Sequence, residues 1–93
     1  RAAQAVAEKM AVISRSHQVI SITHLPQIAA MADSHYLIEK SAEGGKTVTH
    51  IERLGDEESI LEIARLLGGV TITDAVMSNA REMKQMAEKS KNY

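Results

Sequence analysis

The chain carries four histidines, His17, His24, His35 and His50. Their imidazoles can hold a metal, relay a proton or sit beside a phosphate near neutral pH. Their separations of 7, 11 and 15 positions include no pair at i, i+4, the spacing that turns two imidazoles toward one ion, and no cysteine is present to complete a ligand set. No metal site is expected. Ser21, His24 and Asp33 have the residue types of a nucleophilic triad, but Ser21 stands inside an apolar run and no G-x-S-x-G turn exposes it, so a serine hydrolase is not expected. Gly44-Gly45 and Gly68-Gly69 belong to neither a G-x-x-x-x-G-K-S/T nor a G-x-G-x-x-G pattern, so the chain has no complete phosphate loop.

His24 differs from the other three by its setting. Val19, Ile20 and Ile22 are β-branched and nearly continuous, which predicts a strand over Gln18 to Thr23, covered on both faces as inside a parallel sheet. Leu25-Pro26 then starts a short helix, because proline suits the first helical turn. His24 would stand at the carboxyl end of the strand, where open α/β sheets bind ligands, beside a helix N-terminus that favours anions. A neutral imidazole there donates one hydrogen bond and accepts another, which suits a terminal phosphate and an attacking water. Position alone leaves two readings open: a ligand-binding histidine and an ordinary strand-end histidine.

The elements that would hold this site can be read from periodicity. Arg1 to Ser16 reads as a helix with Ala3, Val6, Met10 and Ile13 along one stripe. It starts at residue 1 without an N-cap, so a longer parent chain is expected. Helix followed by buried strand is the second half of a βαβ unit whose first strand is missing. Gly44-Gly45 between two β-rich runs predicts a hairpin over Ser34 to Glu43 and Lys46 to Leu54, with Glu43 facing Lys46, Glu39 facing His50 and Ile38 facing Ile51. Ser59 and Glu62 have the form of a capping box for a helix burying Ile60, Ile63, Ala64 and Leu67 and ending at Gly68-Gly69. Thr73 or Asp74 caps a last helix with Val76, Ala80, Met83 and Ala87 inward, and its polar tail, Glu88 to Tyr93, is expected to fray. The order is α-β-α-β-β-α-α in one α/β unit spanning 1–93.

At 93 residues the chain makes one domain at most and buries only ~60 to 65% of its unfolded surface. Apolar residues at 44% and charged residues at 25% are globular proportions. Tyr36 and Tyr93 are the sole rings and the net charge is −1, so neither base stacking nor a basic face argues for direct nucleic-acid binding. The lack of cysteine fits a reducing compartment, and no apolar run approaches a membrane span. A cytoplasmic location is expected.

"ISITHLPQIAAMAD", with the preceding "RAAQAVAEKM" and the later "IARLLGG", resembles the C-terminal end of the RecN family, the bacterial SMC-like ATPases of DNA double-strand-break repair and recombination. "THLPQ", Thr23 to Gln27, is its most specific part. The resemblance implies the C-terminal part of a P-loop ABC-type ATPase head, with ATP and Mg²⁺ used by the parent. It implies that His24 is the switch histidine near the γ-phosphate, that Thr23 and Gln27 lie in the vicinity of the nucleotide, and that Arg1, Ala2 and Ala3 end the D-loop that meets the second head of a homodimer. The family's Walker A, signature and Walker B segments would all lie before Arg1. The isolated chain is therefore expected to bind no ATP, and, lacking the rest of the head, to self-associate. DNA would be reached only through the parent. A rival class is a non-enzymatic α/β interaction module using the hairpin edge or the last helix.

Overall fold

The structure is a computed structural model and describes residues 2–91. Helices α1 (Ala2–Ile13) and α2 (Pro26–Met31) are followed by a hairpin of β1 (Tyr36–Glu43) and β2 (Lys46–Arg53), then by α3 (Asp56–Gly68) and α4 (Asp74–Lys91). The fold class is mixed α/β, as expected, with a two-stranded antiparallel sheet.

Small side chains decide how the helices meet. Of the ten buried hydrophobic residues among those described, seven are alanines, and only Met31, Ile60 and Ile63 are large. An alanine contact lets backbones approach closely but buries little area, so this core is tight and thin. The short α2 lies at its centre, packing against α1, α3 and α4. Ile60, Ile63 and Ala64 are buried and Leu67 packs against them, as the periodicity of α3 predicts. In α4 Ala80 and Ala87 are buried, with Val76 and Met83 packed alongside.

The hairpin has the predicted register, including Glu43↔Lys46, Glu39↔His50 and Ile38↔Ile51. Gly44 and Gly45 take φ of 57° and 79°, the two left-handed conformations that a type I′ turn demands and side chains resist. Both strands are largely exposed, and the hairpin stands away from the helical body.

Four expectations are corrected. Gln18 to Thr23 forms no strand: the only ladder among the described residues joins β1 to β2, and Ile20 and Ile22 are 82% and 87% exposed. A strand exists through its neighbours, and this segment has none to pair with. The buried stripe of α1 is Ala7 and Ala11 rather than Val6 and Ile13, which are exposed, while Ala3 and Met10 are half-buried. Val6 and Ile13 thus join Ile20 and Ile22 as uncovered apolar surface. The third correction concerns α3, which starts a turn before Ser59: Gly55 is its N-cap, and the Glu58 carboxylate accepts the Gly55 N–H at 2.9 Å. Ser59 is buried instead. Lastly, α4 does not end at Glu88 but runs to Lys91, whose ammonium is anchored across the fold; the rest of the expected tail, Asn92 and Tyr93, lies outside the described residues. Thr73, one of the two caps proposed for α4, does accept the Val76 N–H at 3.2 Å.

Candidate functional site

His24 lies in the turn between the unpaired apolar segment and α2. Thr23 closes that turn, its hydroxyl oxygen accepting the Leu25 N–H at 3.0 Å, so its side chain stands in for a backbone partner. Leu25 is extended (φ −97°, ψ 122°), its carbonyl accepts the Ile28 and Ala29 N–H groups, and Pro26 opens the helix. His24 is exposed and makes no hydrogen bond to another described residue, while Gln27, one turn on, is half-buried. The THLPQ stretch therefore folds as one rigid corner presenting an unengaged imidazole. With six residues, α2 contributes only a small dipole. Ala2 and Ala3 open α1, exposed and half-buried respectively, and Arg1 lies outside the described residues. No group of three His, Asp or Glu side chains able to hold a metal occurs among the described residues.

A second polar cluster was not legible in the sequence. His35 Nδ1 lies 2.7 Å from the Ser59 hydroxyl, across 24 positions of chain, and the Leu54 N–H donates to the His35 carbonyl at 2.9 Å. The Arg53 guanidinium also donates to the Ser34 hydroxyl, at 3.4 Å. The last two close the foot of the hairpin, and the His35–Ser59 contact ties that foot to α3. A cleft of about 350 Å³ beside them is lined by Asp33, His35, Arg53, Asp56, Ser59 and Lys84. Its carboxylates and cations offset one another, and Ser59, only 1% exposed, is out of reach as a nucleophile. The cluster is a structural joint.

That joint is pH-sensitive. Burial lowers the pKa of His35 below its ordinary value of 6.5, Lys84 lowers it further, and Glu62 opposes both. The unfolded chain then protonates before the folded one, so stability is highest above about pH 6.5 and falls as the pH drops toward the lower folded value. Thermal melts between about pH 7.5 and 5 should show this decline. His35→Asn should flatten it, and an unchanged slope would assign it to other groups.

The chain was compared with known proteins. No protein-family model matches it. It is 44% identical over 91 residues to the DNA repair protein RecN of Bacillus subtilis, covering 98% of this chain and 16% of that protein. It is 47% identical over 87 residues to RecN of Halalkalibacterium halodurans, covering 94% and 15%. RecN of Mycobacterium tuberculosis is 37% identical over 87 residues, covering 94% and 14%. The chain spans about a sixth of the length of the curated relatives it matches. Its class is thus a mixed α/β segment of four helices and one antiparallel hairpin among the described residues. The chain belongs to the RecN family, matching a C-terminal segment of it. No helix among the described residues is long and apolar enough to cross a membrane.

Proposed function

We propose that this chain is the C-terminal part of the ATPase head of a RecN-type protein acting in DNA double-strand-break repair and recombination in the cytoplasm. Its own contribution is His24. The observation that carries this reading is the unengaged imidazole on the rigid Thr23 to Gln27 corner, in a chain similar to RecN over nearly its whole length.

The sequence has no phosphate-loop motif and the described residues hold no carboxylate cluster for a cation; in this reading they form one wall of a magnesium-ATP site, with the rest of the head supplying the others. ATP supplies the terminal phosphoryl group that passes to water. His24 donates a hydrogen bond to an oxygen of that group, favouring the charge that builds there during in-line attack. Thr23 holds the turn, Gln27 lies along the same wall, and Arg1, Ala2 and Ala3 border the face meeting the second head. The exposed Val6, Ile13, Ile20 and Ile22 fit burial against the remainder of the head.

The test is single-turnover ATP hydrolysis by the full-length protein with and without His24. For the isolated chain, titration calorimetry should detect no magnesium-ATP binding, and sedimentation at roughly tens of micromolar should show self-association through the uncovered apolar surface. Micromolar binding of ATP would contradict the division of the site between segments, and a clean monomer would contradict the association.

A second reading, a non-enzymatic interaction module, draws on the hairpin, where Tyr36, Ile38 and Ile51 are 52%, 46% and 66% exposed. It requires turnover to be indifferent to His24.

A further inference from the structure

We propose that Lys91, at the end of α4, is a positioning residue for His24, acting through the far end of α2. The inference rests on the reading of His24 as the nucleotide-facing group.

The Lys91 side chain is only 11% exposed. Its ammonium donates to the Met31 carbonyl at 2.9 Å, to the Ala32 carbonyl at 3.3 Å and to the Asp33 carboxylate at 3.0 Å, with the Glu88 carboxylate at 4.0 Å. Three donors meet three oxygens, so the cation is fully engaged. Two of those oxygens are the carbonyls of Met31, the last residue of α2, and of Ala32, its C-cap, where the negative end of the helix dipole lies. At this end the Ala32 N–H donates to the Ala29 carbonyl at 3.2 Å. Lys91 therefore reinforces, from α4, the backbone cap that Ala32 gives the end of α2.

The packing of α2 makes that cap consequential. Its buried residues are Ala29, Ala30 and Met31, with Ile28 packed against the same core: two small methyl groups that fit closely but bury little area, and a flexible thioether. With so little buried area on six residues, the polar anchors at the ends of the helix weigh more in its orientation. Behind, Lys91 ties the end of α2 to α4, and in front the Thr23 hydroxyl on the Leu25 N–H fixes the turn that carries His24. An α-helix of six residues is only about 9 Å long. A tilt at Met31 is therefore carried almost undiminished to Pro26 and to the imidazole beside it.

The experiment is a double-mutant cycle in the full-length protein, with single-turnover ATP hydrolysis, nucleotide affinity and thermal unfolding measured on each variant. Lys91→Met keeps the apolar stem and removes the donors. It should lower turnover between about 10- and 100-fold, the range that small misplacement of a reacting group produces, while affinity stays within about twofold. Lys91→Arg, which retains charge and donors, should recover most of the loss. In a His24→Ala background Lys91→Met should cost less than about twofold, because residues acting as one unit are not additive. An equal loss in both backgrounds, or a loss proportional to the unfolded fraction, would overturn the proposal. Should Lys91→Met not fold, Lys91→Gln, with one donor pair, takes its place in the same cycle. Normal turnover in His24→Ala alone would instead defeat the reading of His24, and this outcome is distinct from additivity.

Discussion

His24→Ala in a full-length RecN-type protein carrying this segment is expected to lower single-turnover ATP hydrolysis by about 10²- to 10³-fold. The corresponding loss of transition-state stabilisation is roughly 2.7 to 4 kcal/mol, the size seen when one preorganised donor to a developing anion is removed. ATP binding should weaken far less, since the hydrogen bond matters most as the phosphoryl group is transferred. Thermal unfolding should change by little more than about 0.5 kcal/mol, because His24 is exposed and bonded to no other described residue. A histidine holding the fold together would give the reverse, a lowered melting temperature with turnover per folded molecule intact. Normal hydrolysis by the well-folded variant would take His24 out of the mechanism.

The largest effect on stability is expected at Ile63, which is 0% exposed and the largest of the fully buried side chains. It sits on α3 in the cluster that joins Ala29, Ala30, Ala64 and Ala80, all too small to close over a void. Ile63→Ala should therefore leave most of its cavity open and cost roughly 2 to 5 kcal/mol, measured by denaturant unfolding. A small domain has about 5 to 15 kcal/mol in total, so the variant should approach the point at which it no longer folds at physiological temperature. Leu61→Ala, two positions away on the same helix but at a side chain 51% exposed, is the control and should change stability by about 0.5 kcal/mol or less. A loss at Ile63 no greater than at Leu61 would show that the core is organised elsewhere.

What could be read in the sequence follows the range of the forces involved. The hairpin was legible to the residue because two adjacent glycines dictate its turn, and the turn dictates which side chains face each other. The stripe of α3 was legible because Ile60, Ile63 and Ala64 are large or small apolar groups on one face with charged residues opposite. In α1 the same method chose Val6 and Ile13 over Ala7 and Ala11, since hydrophobicity ranks the larger side chain as inward, whereas close helix contact here selects the smaller. The Gln18 to Thr23 run shows strand composition, but composition supplies no partner, and none is present among the described residues. His24 was singled out by its place in a motif. Lys91 and the pair of His35 and Ser59 were not, because their partners lie 60 and 24 positions away and no local pattern announces such contacts.

The detached hairpin has a consequence for how the molecule opens. Its strands are joined to each other by a complete ladder but to the helices chiefly through its foot, at Leu54, His35 and Ser59. A two-stranded ribbon without a covering layer is marginal by itself. It is expected to open as a separate unit while the alanine core stays closed, with the joint at its foot setting the free energy of that opening. Proton uptake at His35 would loosen this joint, so mild acid would release the ribbon before it dissolves the helices.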